Sequence, residues 1–278
     1  MVDTLVTISG CLVQHGKLNQ RVYLIRPSLQ RGTGIAGKLL DLADIHEYGK
    51  IVAKIPGSLS GEFEDSGFQC EAKIPCFFNR DEDCLFMAAY PDNDRSREEF
   101  PGLVKEVLEQ SLIFRPPQKR PRKGHFTSCT PDDAREMAAL YSRVFETYPF
   151  PINDPGYLTH TMDKRITEYF CIRDHGVIVS VGSAEKCGDY AVEMTDLATL
   201  PGYEGNGYAA DILDGMEELM RERGIPLAYT ICRAYSSPVN RIFSRRGYIF
   251  GGTLTRNTQI CGRIESMNVW YKHLFHGI

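Results

Sequence analysis

Three glycines stand close together in the segment LPGYEGNGYA, residues 200–209. The residues before it, 190–199, have the pattern of a β-strand. After it, apolar residues recur at three- and four-residue steps from Ala209 to Met220, as in an amphipathic helix. A strand, a glycine turn and a helix start gather the unpaired backbone N–H groups of the first helical turn, which bind anions such as phosphate. The segment therefore predicts an α/β fold with an anion site at this turn.

The spacing of these glycines excludes two common kinds of phosphate site. The segment has neither the GxGxxG spacing of a dinucleotide site nor the Gly-Lys-Ser/Thr of a nucleoside triphosphate site. An ordinary tight turn would explain Gly205 and Gly207 equally well, and Glu204 places a negative charge inside the segment. The glycines alone therefore leave the ligand open.

Composition and charge limit the class of protein. A chain of 278 residues is long enough for one large or two ordinary domains, and a net charge of -4 argues against broad electrostatic binding to nucleic acid or membrane. The start, MVDTLVTISG, lacks the pattern of a signal peptide, and no apolar stretch is long enough to span a bilayer. We therefore expect a cytoplasmic protein with no nucleic-acid or membrane partner.

The nine cysteines are an odd number and include no CxxC pair, which favours reduced thiols over disulfides or a zinc site. Cys70, Cys76 and Cys84 form a loose group without histidines at ligand spacing. We expect these three to be buried as small apolar side chains, and we expect no metal.

A basic, proline-containing segment, RPPQKRPRKG at 115–124, is predicted to be a linker, because its three prolines prevent a helix. A nucleic-acid-binding arm is the alternative. We place a domain boundary near residue 119, between an amino-terminal unit, 1–118, and a second unit, 119–278. The second unit shows alternating α/β patterns, with strands expected at 125–129, 169–173, 177–185, 190–199 and 227–232 and helices at 131–145, after the glycines, and at 238–246.

The amino-terminal half contains a weak internal repeat. A shift of 180 residues places KIVAKIPGSLSGEFEDSGF, 50–68, over TICRAYSSPVNRIFSRRGY, 230–248, without a gap. Phe63 then meets Phe243. Chance is an alternative at such low identity, but the shared order of helix, strand, helix and Gly-aromatic strand indicates two related units. The first lacks the glycine turn, so we interpret it as structural.

The segment TDLATLPGYEGNGYAADIL, 195–213, resembles the acetyl-CoA pyrophosphate loop of the GNAT superfamily of N-acetyltransferases. The family pattern is Gln/Arg, two residues, Gly, any residue, Gly/Ala. Gly205 and Gly207 fit, whereas Gly202 stands in place of Gln/Arg and Glu204 stands where Arg is common. The resemblance implies the GNAT acyltransferase fold, a mixed central sheet with flanking helices, preceded here by a smaller, degenerate GNAT-like α/β unit.

A second family element, Asn followed by an aromatic residue and Gly-Phe/Tyr, matches Asn240, Phe243 and Gly247-Tyr248. Together the two elements extend the resemblance over roughly residues 123–273. It implies an acetyl-CoA site formed by Leu197, Ala198, Thr199, Tyr203, Glu204, Gly205, Asn206, Gly207, Tyr208, Ala209 and Asn240.

A narrower resemblance is to the β-lysine N-acetyltransferases. It rests on YPFPI (148–152), EMTDLATLP (193–201), YTICRA (229–234), GGTLTRNTQICG (251–262) and ESMNVWYK (265–272). It implies acetyl transfer from acetyl-CoA to the terminal amine of β-lysine, the product of lysine 2,3-aminomutase, giving the compatible solute Nε-acetyl-β-lysine used in osmoadaptation. The alternatives are acetylation of another small amine, such as a polyamine or an aminoglycoside, and a non-catalytic acyl-CoA-binding module.

The expected chemistry needs a base, because a terminal amine with a pKa of about 10.4 arrives protonated. Glu193 lies six residues before Thr199, where related acetyltransferases often carry a base carboxylate, and is our predicted base, acting through water. An exposed strand carboxylate is the alternative. A backbone N–H near Ala198 or Thr199 would stabilise the oxyanion.

In this family a tyrosine four residues before the glycine that corresponds to Gly247 usually protonates the departing thiolate. Phe243 occupies that position here. Tyr235 and Tyr248 are the nearby candidates. A CoA thiol with a pKa near 8.5 also leaves without help.

The implied substrate has a carboxylate and two ammonium groups. Arg233 is expected to hold the carboxylate, and Glu265 or Asp196 to pair the β-ammonium. Asp196 points to the opposite strand face from Glu193 unless a bulge intervenes. Tyr148 and Phe150 would form an aromatic wall, although core packing explains them nearly as well, and a surface position explains Arg233.

Overall fold

The computed structural model describes residues 3–28, 34–113 and 124–275. These residues form a mixed sheet of 13 strands with helices packed on it, so the predicted α/β class is confirmed. The strands are β1 Thr4–Ile8, β2 Cys11–Gly16, β3 Arg21–Arg26, β4 Lys50–Pro56, β5 Gln69–Phe78, β6 Glu82–Ala89, β7 His125–Ser128, β8 Thr167–Asp174, β9 Val177–Cys187, β10 Ala191–Thr199, β11 Leu227–Arg233, β12 Ile249–Ile260 and β13 Arg263–His273. The helices are α1 Ile35–Ile45, α2 Ser60–Asp65, α3 Pro101–Leu112, α4 Ala134–Val144, α5 Pro155–Asp163, α6 Tyr208–Glu222 and α7 Ser237–Ser244.

The strand order is β1-β2-β3-β4-β6-β5-β12-β13-β11-β10-β9-β8-β7. The two halves of the chain join where β12 pairs with β5 through Gly252 and Ala72. Gly252 has a φ of +144°, and a Cβ there would lie 2.2 Å from the Glu71 carbonyl oxygen. A side chain at this position would therefore push the two halves apart.

The two halves show the same sequence of elements around their parallel strand pairs. In the first half β3 is followed by α1 and pairs in parallel with β4, and in the second β10 is followed by α6 and pairs in parallel with β11. The helix after each of these second strands, α2 or α7, leads into an antiparallel hairpin, β5–β6 or β12–β13. This order agrees with the alignment of 50–68 with 230–248. The boundary near residue 119 and nearly all of the proposed linker lie outside the described residues.

One apolar core belongs to both halves. It joins buried residues of the amino-terminal strands with buried residues of β10 to β13: Tyr23, Val52, Ala72, Ile74, Phe77, Cys84 and Phe86 with Ala191, Leu227, Tyr229, Leu254, Ile260, Met267 and Val269. A separate core lies under α6, where Ile212, Leu213 and Met216 pack on the sheet. The shared core covers the sheet face opposite α6, which we call the distal face.

The cysteines only partly follow the prediction. All nine are free, but of the group of three only Cys84 is buried, while Cys70 is exposed and Cys76 is half-buried. Cys70 is exposed because it lies at the start of β5, where neighbouring positions also face solvent. Across residues 3–28, 34–113 and 124–275 no group of His, Cys, Asp or Glu is arranged to hold a metal ion, and no helix there is both long and apolar enough to cross a membrane.

Candidate active site

Strands β10 and β11 separate along their length. They pair in parallel only from Ala191 opposite Leu227 to Glu193 opposite Tyr229. Beyond this point β10 continues to pair with β9 as far as Thr199, and β11 continues to pair with β13 as far as Arg233. The edges of β10 and β11 that face each other therefore diverge, which leaves backbone polar groups without strand partners and opens a cleft for a ligand.

A cavity of about 250 Å³ occupies this cleft. Its lining comes from β10, β11, α7, the end of α4 and the β12–β13 hairpin, and it is mainly apolar. Among the lining residues, Asp196 is the one acid and Arg233 the one base. The cavity therefore offers one negative and one positive group on opposite sides of the cleft.

A β-bulge in β10 sets the direction of Asp196. The pairing with β9 shifts between Thr195 and Ala198, and Asp196 has a φ of +54°. The Ser183 hydroxyl, whose residue pairs with Thr195, donates a hydrogen bond to Asp196 Oδ2 at 2.6 Å. Since paired residues share a sheet face, Asp196 lies on the distal face with Thr195 and Glu193. The regular-strand expectation of opposite faces is wrong here because the bulge adds one residue.

Asp196 is held by two hydroxyl groups. The Tyr148 hydroxyl donates a hydrogen bond to Oδ1 at 2.6 Å, and the Ser183 hydroxyl donates to the other oxygen, Oδ2. Burial raises the pKa of Asp196 above its usual range, although both hydrogen bonds favour the charged form. This carboxylate thus stands in the cavity in a fixed orientation, suited to binding an ammonium group.

Glu193, the predicted base, lies on the same face but is not part of the cavity lining. The Tyr229 hydroxyl donates to Glu193 Oε2 at 2.7 Å. Burial raises the pKa of Glu193, while Lys54 and the Tyr229 hydrogen bond act in the opposite direction. Its cross-strand partner Glu185 has a pKa raised to about 7, by burial first and by repulsion from Glu193 second. Glu193 and Glu185 are therefore two neighbouring carboxylates, each of which disfavours ionisation of the other.

Arg233 lines the cavity, and Glu265 holds its guanidinium in place. Its Nε and Nη2 atoms donate to the two carboxylate oxygens of Glu265 at 2.9 and 2.7 Å. Glu265 is completely buried and also accepts from Arg263 Nε at 3.2 Å. The prediction that Glu265 pairs a substrate ammonium is therefore wrong, since two arginines already occupy its carboxylate; Glu265 instead orients Arg233.

The structure places neither candidate acid in the cavity. The Tyr235 hydroxyl donates to Glu98, which comes from the amino-terminal half. Tyr248 is buried beneath α7 with its ring against Phe243, 5.0 Å between centroids. Tyr148 is the one tyrosine that lines the cavity.

The aromatic wall is formed by Tyr148 and Phe145, whose ring centroids are 4.8 Å apart. Phe150 instead packs on the core beneath α4, so its predicted contact with substrate is wrong. The loop that carries Tyr148 is fixed to the β12–β13 turn, where Cys261 N donates to the Thr147 carbonyl at 3.0 Å. This link holds the wall beside the cleft.

The glycine turn has the backbone geometry that requires glycine. Gly202, Gly205 and Gly207 have φ values of 89°, 75° and 89°, and Gly207 is the residue that precedes the first turn of α6. The exposed Glu204 side chain accepts a hydrogen bond from the backbone N–H of Gly202 at 2.8 Å. The Glu204 carboxylate therefore occupies the Gly202 N–H, which is one of the backbone donors of the turn.

The other residues predicted to contact acetyl-CoA fall into two groups. Leu197 and Ala209 line the cavity, and the partly buried Tyr203 and Tyr208, the first residue of α6, pack against the core under that helix. Ala198 and Thr199 continue β10, where the Ala198 carbonyl accepts from Ser180 Oγ at 3.0 Å. Their backbone remains positioned beside the cleft.

Asn240 is predicted to bind the cofactor, but the structure gives it another role. Its amide donates to the carbonyls of Arg233 and Ser236 at 2.9 and 2.8 Å, and its Oδ1 accepts from Asn268 and Trp270. The side chain is fully buried, and both its amide nitrogen and its amide oxygen bond to other protein groups. Asn240 therefore joins the end of β11 to α7 and β13, and the prediction of a cofactor contact is not supported.

Sequence reasoning missed several groups around the carboxylates. Glu185 and Ser183 alternate along β9 and pair with Glu193 and Thr195, so their period-two pattern was a usable signal. Lys54 reaches Tyr229 from the amino-terminal half, and nothing local in the sequence indicates that contact.

Comparison with known proteins decides the family. Residues 135–248 match the model of the family described as Acetyltransferase (GNAT) family. The chain is 34% identical to the β-lysine N(6)-acetyltransferase of Methanococcus maripaludis, over 98% of this chain and 99% of that protein. The chain belongs to the GNAT acetyltransferase family. Since the alignment spans both halves of this acetyltransferase, the amino-terminal half is also shared with that relative.

A second relative agrees. The β-lysine N(6)-acetyltransferase of Methanosarcina mazei is 31% identical over 86% of this chain and 97% of that protein. Among solved structures, an N-acetyltransferase from Staphylococcus aureus is 13% identical with a TM-score of 0.49, covering 55% of this chain and all of that chain.

Proposed function

We propose that this protein transfers the acetyl group of acetyl-CoA to the terminal amine of β-lysine, giving Nε-acetyl-β-lysine. The two relatives that align over most of the chain carry this activity in their names. The observation that carries the proposal in this chain is the cavity between β10 and β11, with Asp196 and Arg233 as its two charged groups. An amino acid with an additional amine presents the matching charges.

Acetyl-CoA supplies a thioester as the acyl donor. The glycine turn and the start of α6 fit its pyrophosphate, because backbone donors and the positive end of the helix dipole lie together there. The diverging edge of β10 fits the amide groups of its pantetheine arm. A backbone N–H near Ala198 or Thr199 is our proposed oxyanion donor.

Asp196 is our proposed partner for the β-ammonium group of the substrate, and Glu193 is our proposed base, which removes a proton from the acceptor amine through a water molecule. The freed nitrogen lone pair attacks the thioester carbonyl carbon, and the bond from that carbon to sulfur breaks. The first proton ends on the Glu193 carboxylate. The nitrogen loses a second proton as the amide forms, and this proton passes through water to the departing thiolate, so that CoA leaves as the thiol. Burial raises the pKa of Glu193 above its usual range, which suits a carboxylate that has to accept a proton.

Arg233 is our proposed contact for the substrate carboxylate. Its Nε and Nη2 atoms are engaged by Glu265, which points the guanidinium in one direction, and its side chain lines the cavity. Arginine suits a carboxylate because its planar N–H groups match the two oxygens. A polyamine has no carboxylate for this group to bind.

The test is a comparison of acceptors in one assay. Purified protein is incubated with acetyl-CoA and β-lysine, α-lysine or spermidine, and thiol release and product mass are followed for each. We expect turnover of β-lysine at least tenfold above the other two. Equal rates with both lysines, or transfer to spermidine alone, would remove β-lysine as the substrate, and no transfer to any amine would favour an acyl-CoA-binding module.

Three wider statements rest on the same activity. We propose that the substrate is supplied by lysine 2,3-aminomutase and that the product is a compatible solute in osmoadaptation. We propose a reducing, cytoplasmic location, in agreement with nine free cysteines. We also propose that residues 1–118 form a degenerate GNAT-like unit, supported by the shared order of strands and helices.

A further inference from the structure

Lys54 on β4 is a buried amine that faces the carboxylates of the other half. Its exposed fraction is 5%, and its Nζ donates to the Tyr229 hydroxyl at 3.0 Å. The Nζ also lies 3.9 Å from Cys187 Sγ and 5.4 Å from the centre of the Tyr229 ring. Among the described residues, no carboxylate is within ion-pair distance of Lys54. A buried ammonium without a direct counter-ion is costly unless nearby groups compensate it.

The Tyr229 hydroxyl connects this ammonium to Glu193. Tyr229 is fully buried. Its hydroxyl accepts a hydrogen bond from Lys54 and donates a hydrogen bond to Glu193 Oε2 at 2.7 Å. The result is a chain from ammonium to phenol to carboxylate that crosses from one half of the molecule to the other. Because hydrogen bonds in such a chain polarise one another, a positive charge at one end favours a negative charge at the other.

We propose that Lys54 is a positioning residue for catalysis: acting through Tyr229, it keeps the Glu193 carboxylate ionised and oriented to accept the proton of the acceptor amine. The amino-terminal half thereby contributes directly to the chemistry of the second half. This inference rests on the proposed role of Glu193, and its test includes a measurement that does not depend on activity.

Several other titratable groups face Glu193. Glu185 on β9 is its cross-strand partner, and Asp196 lies further along β10; both oppose ionisation of Glu193 by repulsion. Tyr148 approaches Glu193 from the α4–α5 loop. Three groups that are uncharged at neutral pH surround Lys54: Tyr23 on β3, Cys84 on β6 and Cys187 on β9. Arg26, at the end of β3, acts on Glu185. Lys54 is the cation that acts on Glu193 itself.

Lys54 and Glu193 have opposite charges, so each favours the charged form of the other. Burial lowers the pKa of Lys54, while interactions with Cys187, Tyr23 and Glu193 raise it above its ordinary value. Since the thiol and the phenol are uncharged at neutral pH, Glu193 is the group whose charge favours the ammonium form there. Removing that charge raises the pKa of Glu193. A smaller fraction of Glu193 is then ionised at pH 7, so the rate falls at that pH and recovers only at higher pH.

The experiment measures kcat against pH for wild type, Lys54→Met and Tyr229→Phe at saturating substrates. We expect the acidic limb of the profile to move up by about 1 pH unit in Lys54→Met and in the same direction by less in Tyr229→Phe. The KM for acetyl-CoA should change less than twofold. An acidic limb at the wild-type pH, or a rate reduced equally at every pH, would overturn the proposal. Tyr229→Phe decides the question if Lys54→Met does not fold.

Lys50→Met is the matched control. Lys50 lies on the same face of the same strand, is fully buried, and pairs with Glu71 at 2.7 Å rather than with the active-site carboxylates. This variant should lower the melting temperature and leave the pH profile in place. An equal shift in Lys50→Met would show that the effect of Lys54 is only structural.

A titration separates this inference from the proposed function. Carbon-13 NMR of labelled glutamate side chains, with the Glu193 signal assigned through Glu193→Gln, reports the pKa of Glu193 without any substrate. A rise in Lys54→Met supports the inference even if the amine substrate differs from β-lysine. An unchanged Glu193 titration overturns it even if wild type acetylates β-lysine.

Discussion

Asp196 shows how one backbone conformation determines the character of a site. Its φ of +54° belongs to the bulge in β10, which turns its side chain to the distal face. Gly182 on β9 accommodates the bulge, because a Cβ there would lie 2.6 Å from Leu197 Cδ2. Without the bulge the cavity would have no acid, and Glu193 would be the nearest carboxylate on that face.

Asp196→Asn should raise the KM for β-lysine roughly 10- to 100-fold, because it removes a charged hydrogen-bond partner worth about 1.5–3 kcal/mol. The amide keeps nearly the same shape and remains able to bond Ser183 or Tyr148. The KM for acetyl-CoA serves as the internal control and should stay the same. A normal KM for the amine would show that Asp196 does not meet the substrate.

Glu193→Gln should lower kcat at neutral pH about 100-fold, the usual contribution of a general base. Because free amine becomes more abundant as pH rises, the deficit should narrow at high pH. Steady-state kinetics from pH 6 to pH 10 would show this. A profile that keeps the wild-type shape and height would assign the base to another group.

At the scale of elements, the glycine turn and α6 form one unit for binding an anion, and Glu204 modifies it. The carboxylate accepts the Gly202 N–H, and a carboxylate near a helix amino terminus is favoured by about 0.3–1 kcal/mol. A phosphate that arrives at the same turn is repelled by on the order of 1 kcal/mol at close range across water. We therefore expect the turn to bind the CoA pyrophosphate through backbone donors and in spite of Glu204.

Glu204→Arg should lower the KM for acetyl-CoA several-fold at low ionic strength with little change in kcat, and the gain should fade as salt screens the charge. Glu204→Gln is the control, since it removes the charge and retains a side-chain acceptor for Gly202. If the arginine variant binds acetyl-CoA no better than wild type at low salt, Glu204 lies away from the phosphates.

At the scale of the molecule, the two halves are joined by a shared core and by buried polar contacts. Arg95 donates to the carbonyls of Asn19 and Arg256, which belong to different halves, at 2.8 Å each. Glu98 accepts from Tyr235 and Ser266. Neither half covers its own apolar sheet face, so we expect the halves to fold together.

Deletion of residues 1–118 should therefore prevent stable folding of residues 119–278, since it exposes the apolar side of the shared core and removes Lys54. Circular dichroism and thermal melting would show this, and co-expression of the two pieces is the control. A cooperative melt of 119–278 near that of the whole chain would contradict the expectation.

The part of the fold that the sequence predicts is the part with local signals. The strand before the turn, the three glycines and the apolar face of α6 lie in consecutive residues, and the structure has them at β10, 200–207 and α6. The bulge that redirects Asp196 arises from pairing with β9, and the partners of Glu265, Asn240 and Tyr235 come from distant segments. Such contacts leave no periodic pattern in the sequence, so the roles predicted for those three residues did not hold.

The proposed reaction, acetylation of β-lysine at its terminal nitrogen, leaves its mark on the product. The most direct measurement is tandem mass spectrometry of the product formed from β-lysine and acetyl-CoA labelled with carbon-13 in the acetyl group. We predict one labelled acetyl group on the terminal nitrogen, with the β-amine unmodified. A label on the β-nitrogen, or no labelled product while acetyl-CoA binds normally, would contradict it.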